Sequence, residues 1–154
     1  MYNKILVPMD GSELAECSLE HVREIAKGCH TSEVILLAVV EQVTGPGYTW
    51  GAVASGEQMA AEAKKVQAKA AEYLKGVARE LTKDGLGVQT RIVAGMPAEA
   101  ILDFAKKNDV ALIIMSTHGR SGIARWAMGS VADRVLRNSS IPVMVVSPKG
   151  SRVG

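Results

Sequence analysis

The chain has 154 residues, 47% apolar and 22% charged, a composition that folds into one domain with a core and excludes a disordered chain. Aromatics are only 4%, so that core is aliphatic, and a net charge of +2, from eighteen Lys and Arg against sixteen Asp and Glu, argues against a nucleic-acid binder. The longest apolar run, Val34 to Val40, falls far short of the roughly 18 residues of a membrane helix.

Short apolar runs alternate with helical patterns along the chain. Met1-Tyr2-Asn3-Lys4 leads straight into a first strand, Lys4 to Met9, with no charged-then-apolar leader. Ser12 is placed to cap a first helix, in which Leu14, Ser18, Val22, Ile25 and Ala26 follow helical spacing up to Gly28. Glu33 to Val40 is β-branched and Leu-rich and predicts a buried second strand. Residues 41–56 form a Gly-rich connection, with Tyr48 and Trp50 as candidates for a lid or a partner contact. A long helix from Glu57 to Asp84 follows, with Met59, Ala63, Val66, Ala70, Tyr73, Val77 and Leu81 stepping by three or four residues. Packing on a sheet is favoured over a coiled coil, because Ala63 and Ala70 are small and strands flank the helix.

Val88 to Val93 is the third strand, and Pro97 opens a helix with Ile101, Leu102 and Ala105 on one face. Val110 to Ser116 is the fourth strand, followed by a Gly-rich loop from Thr117 to Met128 and a helix opened by Gly129-Ser130. Ile141 to Val146 is the fifth strand, so the domain spans 1–148 and a loose tail spans 149–154. Alternation of this kind predicts an α/β fold with a doubly wound five-stranded parallel sheet covered by helices on both faces. If strands 2 and 3 flank strand 1 on one side and strands 4 and 5 on the other, the order is 3-2-1-4-5. The switch point then falls between strands 1 and 4, where such sheets bind ligands beyond the carboxyl ends of the strands. The segments placed there are Pro8 to Ser12 and Ser116 to Arg120.

The stretch after strand 4, STHGRSGIARWAMGSVADRV, carries the most chemistry. Gly119 allows close approach of the backbone to a ligand. Gly129-Ser130 begins a helix whose N–H groups and dipole favour an anion, with Ser130 adding a hydroxyl and Arg120 positive charge. Together these predict a phosphate cradle. It is neither a Walker A loop, since no Lys lies between Lys107 and Lys149, nor a dinucleotide fingerprint, since Gly-x-Gly-x-x-Gly does not follow strand 1. Asp10 faces the same crevice, as a ligand of ribose hydroxyls or of a divalent cation, or alternatively as a cap of the turn. The backbone from Ala38 through Val39 to Val40 is placed to line a base slot. His118 adjoins the loop, to touch a phosphate or to orient the loop. Cys17, His21, Cys29 and His30 lack paired zinc-ligand spacing and read as buried or incidental groups; two cysteines suit a reduced, cytoplasmic protein.

The sequence resembles the universal stress protein family over nearly its whole length: KILVPMDGSE, VILLAVV, AGMPAEAILDFA, IIMSTHGRSGIARWAMGSVADRVL and IPVMVV. ATP-binding members of that family carry Gly-x2-Gly-x9-Gly-Ser/Thr after strand 4. Gly119, Gly129 and Ser130 match its last three positions, while Ser116 stands at the first. If that first position required a left-handed backbone, Ser would cost about 1 kcal/mol there. The resemblance implies an adenine-nucleotide alpha-hydrolase-like fold and a stress-response protein that binds ATP, with Mg²⁺ or Mn²⁺ on the phosphates. Pro8, Asp10, Ser12, Val39, Ser116, His118, Gly119, Arg120, Gly129, Ser130 and Val131 would line the site, with Asp10 at ribose or metal. It implies slow hydrolysis or none, and a homodimer through strand 5, an apolar edge suited to self-pairing. The alternatives are a stress-related interaction module that binds no nucleotide and, on fold analogy, an FMN-type or adenylate-transferring enzyme. Charge is uneven: residues 1–116 carry twelve cations against fifteen anions, residues 117–154 six against one, so the basic excess begins at the Gly loop.

Overall fold

A computed structural model of the protein describes residues 1–41, 56–117 and 128–148. The elements, in chain order, are β1 (Lys4–Pro8), α1 (Glu13–Glu16), α2 (Leu19–Gly28), β2 (Glu33–Val40), α3 (Gly56–Lys83), β3 (Val88–Ala94), α4 (Pro97–Lys107), β4 (Leu112–Ser116), α5 (Ser130–Asn138) and β5 (Val143–Val146). The five strands form one parallel sheet in the order β3-β2-β1-β4-β5, as the alternation predicts. No helix among the described residues is long and apolar enough to cross a membrane.

Strand periodicity sorts the side chains into two cores. On one face Ile5, Val7, Val34, Leu36, Leu112 and Ile114 pack with Leu19, Val22 and Ala26 of α2 and Leu74, Val77 and Leu81 of α3. On the other, Leu6, Ile35, Leu37, Ile113 and Met115 pack with Ala98, Ile101 and Ala105 of α4 and Ala132 and Val135 of α5. Burial on both faces explains why β1, β2 and β4 read as continuous apolar runs.

Two helices differ from the expected pattern. The first divides after Glu16, where the N–H groups of Cys17 and Ser18 bond three residues back, to Leu14 and Ala15, and the buried Ser18 hydroxyl also donates to the Ala15 carbonyl at 2.8 Å. In α3 only the C-terminal part of the apolar stripe packs on the sheet: Ala70, Tyr73, Leu74, Val77, Ala78 and Leu81 meet the core, whereas Ala63 is exposed and Val66 is 47% exposed. The reason is length. A helix of 28 residues runs about 42 Å, while a strand of eight spans about 26 Å, so α3 outruns the sheet beneath it.

The far end of α3 is tied to α2. Arg23 Nε donates to Asp84 Oδ2 at 2.7 Å and Lys27 Nζ lies 3.7 Å from Asp84 Oδ1. The Arg23 hydrogen bond, helped by the charge of Lys27, holds the Asp84 carboxyl below its ordinary value. The stability this lends is present above the ordinary carboxylate range and fades as pH falls through the lowered value. Helices α2 and α4 both end with a non-glycine residue in the left-handed region, His30 and Asp109, each at φ 52°. The following N–H groups, of Thr31 and Val110, reach back to the carbonyls of Ala26 and Ala105.

Gly87 starts β3 where the chain leaves no room for a side chain. Its carbonyl accepts from the Val34 N–H at 2.8 Å, and a Cβ built on it would lie 2.8 Å from the Ser32 carbonyl oxygen. That neighbour is backbone, so it cannot rotate away. Gly87→Ala is expected to destabilise the fold by about 1–3 kcal/mol, measured as a lowered urea midpoint at unchanged slope.

Candidate functional site

The β1–β2 ladder runs through to Pro8↔Leu37 and β4–β5 through to Ser116↔Val146, but the β1–β4 ladder holds only Ile5↔Leu112 and Leu6↔Ile113. Beyond Leu6 and Ile113 the two strands no longer pair. Each is carried away by its outer neighbour, with Met9 N–H donating to Leu37 O at 2.8 Å and Thr117 N–H to Val146 O at 2.8 Å. This divergence falls at the switch point, where the sequence reading expects a crevice, with Pro8–Ser12 following one strand and Ser116–Thr117 ending the other.

On the β1 side, Asp10 and Ser12 build a tight turn. Asp10 Oδ1 accepts from the Ser12 N–H at 2.9 Å and from the Ser12 hydroxyl at 2.6 Å. Ser12 Oγ in turn accepts from the Ala15 N–H at 3.2 Å, capping α1, and Gly11 between them has φ 81°. The capping reading of Asp10 is thus realised, and it fixes the carboxylate at the rim of the crevice. The four residues of α1 are held by Ala15 in the core and by the Tyr73 hydroxyl, which donates to Glu16 Oε1 at 2.9 Å. Burial, followed by the Glu16 carboxylate beside it, pushes the Tyr73 phenol well above its ordinary value, so it stays a donor at all physiological pH.

On the β4 side, Ser116 and Thr117 are buried, at 7% and 8% exposure. Ser116 ends β4 in register with Val146, and among the described residues only His30 and Asp109 are non-glycines at positive φ. A serine is therefore unstrained where the family pattern has glycine. Thr117 O accepts from the Gly129 N–H at 2.6 Å, which clamps together the two ends of the segment between them. Thr117 is not among the residues the sequence singles out; its signal is its place between an apolar strand and the Gly loop.

Helix α5 starts differently from α1. Gly129, at φ −58° and ψ 148°, is its N-cap and gives no side-chain cap, and the first hydrogen bond of the helix is Asp133 N–H to Gly129 O at 2.9 Å. The N–H groups of Ser130, Val131 and Ala132 thus have no recorded acceptor among the described residues. Three amide donors at the positive end of a helix are an arrangement whose chemistry suits an anion. Gly129 itself is not a donor, because its N–H is committed to Thr117. Ala132, which the sequence reading omits, takes its place.

Of the other expected residues, Val39 is half-buried near the end of β2, two strands from β4. His118, Gly119 and Arg120 lie outside the described residues, as do Tyr48, Trp50 and the tail 149–154. The basic excess of the C-terminal quarter is partly tied off: Arg134 pairs with Glu99 at 3.1 Å and Arg137 with Asp133 at 2.9 Å. Cys17 and Cys29 are free thiols, and no group of three His, Cys, Asp or Glu that could hold a metal occurs among the described residues. Ser12→Ala is expected to lower stability by about 1 kcal/mol through loss of the α1 cap. Thermal denaturation checks this, with Asp10→Asn as the contrast, since an amide oxygen still accepts from Ser12.

The chain matches the family model described as "Universal stress protein family" over residues 1–147. It is 35% identical to the universal stress protein MJ0577 of Methanocaldococcus jannaschii over 163 aligned positions, covering 98% of each chain. The solved structure of MJ0577 superposes with a TM-score of 0.84 at 34% identity, over 97% of this chain and 99% of that one. A universal stress protein in complex with cAMP shares the fold with a TM-score of 0.68 at 22% identity, over 95% and 97% of the two chains. A universal stress protein family protein of Arabidopsis thaliana with AMP bound gives 0.62 at 17%, over 97% of each.

Proposed function

The chain belongs to the universal stress protein family, and we propose that it is a cytoplasmic stress-response protein that binds ATP in the crevice between β1 and β4. The observation that carries this reading is the contrast between the two helix starts at the crevice. One is closed by its own Ser12; the other leaves the Ser130, Val131 and Ala132 N–H groups to an outside acceptor. Adenine nucleotides bound by two solved proteins of the same fold support the choice of ligand.

The residues fit such a group. Ser130 and Val131, with Ala132, donate to the phosphates, and Gly129 contributes the lack of a side chain that lets them approach. Ser116 would lie along the ribose and phosphates; His118, Gly119 and Arg120, which the resemblance adds to the site, lie outside the described residues. Asp10 accepts from a ribose hydroxyl, held in position by Ser12, while Pro8 and Val39 border the base. A Mg²⁺ or Mn²⁺ ion would rest on the phosphates with Asp10 as its protein carboxylate, and would neutralise phosphate charge there. The side chains described at the crevice bind and orient; Asp10, tied into its turn, is a weak candidate for a general base. Binding with slow hydrolysis or none follows.

Isothermal titration with Mg²⁺-ATP is expected to give a dissociation constant tighter than about 1 mM. Gly129→Val should weaken it at least about tenfold by placing a side chain over the open N–H groups, and Asp10→Asn should weaken it with little loss of stability. Affinity weaker than about 1 mM, or a Gly129→Val protein that behaves like wild type, would overturn the reading in favour of a module that binds no nucleotide.

The same proposal includes a homodimer through β5. Val143, Met144 and Val145 are only half-buried, and β5 pairs with β4 on one side alone. An apolar sheet edge of this kind is covered by pairing with a second copy. Multi-angle light scattering at micromolar concentration is expected to give twice the chain mass of 16.3 kDa, and a single-chain mass would overturn the dimer.

A further inference from the structure

The opposite edge of the sheet, β3, carries a second surface. Val34 N–H donates to Gly87 O at 2.8 Å and Gly95 N–H to Val40 O at 3.1 Å, with Val34↔Val88 through Val40↔Ala94 in register between them. In a parallel ladder the bonded residues alternate, so Gln89, Arg91 and Val93 serve β2. The backbone groups of Val88, Thr90, Ile92 and Ala94 point outward, where no strand among the described residues follows. Above this edge lies an open groove of about 840 Å³ between β3 and the outer face of α3. Val88 and Thr90 form its floor, and Lys75, Arg79 and Lys83, four residues apart on one helix face, form its wall. Glu72 is the only carboxylate on the lining, against these three cations. Arg79 reaches it at 3.8 Å and Lys83 pairs with Glu80, outside the lining, while Lys75 has no ion-pair partner among the described residues.

We propose that this edge and groove receive an extended acidic segment of another protein, added to the sheet as a sixth strand beside β3. The outward backbone groups supply the pairing, and the alternation of a strand points every second side chain of the incomer at Lys75, Arg79 and Lys83. Arg91 gates the edge. Its guanidinium wraps back to donate to the Thr90 carbonyl at 3.0 Å, occupying one outward acceptor, and also contacts Gln89 Oε1. Arg91 alternates with Val88 and Ile92, which face α3, so its side chain stems from the opposite face, and a new strand takes the Thr90 carbonyl by displacing the guanidinium to solvent. The same charges select against a second copy of this chain, because β3 paired with β3 would bring Arg91 and the α3 cations of both copies together.

The test uses the full chain and a blocked eight-residue peptide of alternating Glu and Val, read by fluorescence anisotropy at low salt and by amide hydrogen exchange. Saturable binding is expected, with slowed exchange at Val88, Thr90, Ile92 and Ala94. Arg79→Glu with Lys83→Glu should weaken it about tenfold or more, and both positions are exposed enough to leave the circular dichroism unchanged. N-methylation of every second peptide nitrogen should abolish binding in one of the two registers. No saturable binding at millimolar peptide, equal binding of an alternating Lys-Val peptide, or an unaffected charge-reversal variant would overturn the proposal. So would unchanged exchange at the four amides, or tighter binding of an oligothymidylate, which would assign the groove to nucleic acid.

Discussion

Two backbone pairs, Ile5↔Leu112 and Leu6↔Ile113, join the two halves of this sheet. The strands of the β3-β2-β1 side and those of the β4-β5 side meet across that short ladder, and both cores continue through it. Its shortness is what the functional region depends on. A ladder that ran on to the ends of β1 and β4 would close the space between Asp10 and Thr117 with strand hydrogen bonds. Instead each strand follows its outer neighbour, and backbone that would have satisfied its partner turns to line a crevice.

The two helix starts that flank this crevice illustrate how one residue decides between structure and binding. Ser12 has a hydroxyl, so α1 satisfies its own first turn and the Asp10–Ser12 turn becomes rigid. Gly129 has none, so α5 keeps its donors for something else, at a cost of a few tenths of a kcal/mol relative to the better cap. Rigidity on one wall and available donors on the other are complementary requirements of a site that must hold its shape before a ligand arrives.

Much of this was legible in the residues. The apolar runs at 4–9, 33–40 and 110–116 read as buried parallel strands; the order 3-2-1-4-5, which alternation with helices suggests without fixing, is the one the sheet has. The division of the first helix was not legible, because it is a local switch to three-residue backbone hydrogen bonds at Cys17 and Ser18, which apolar spacing does not report. Nor was the overshoot of α3: periodicity states which face of a helix is apolar, not how much sheet lies under it, so Ala63 and Val66 read as core like Val77 and Leu81. At the site, Asp10, Ser12 and Ser130 were visible from their positions after strands and before helices. Thr117 and the amide of Ala132 were not, since their part is played by backbone atoms, which every residue has. Ser116 looked like a departure that would strain the chain, yet it is a strand residue and adopts a backbone that serine favours as readily as glycine.

The hydrogen bond from Gly129 to Thr117 has a bearing on how such a protein can change over time. It joins two fixed points of the scaffold, the end of β4 and the start of α5, independently of what lies between them. Once the ends are pinned, lengthening the intervening chain costs little, about 0.6 kcal/mol for a doubling of a flexible loop. The segment can therefore be exchanged as a cassette. Its composition can drift while the start of α5 and the turn at Asp10 stay where they are. Variation at this end of the sheet then requires rewriting one stretch of sequence rather than rebuilding a sheet.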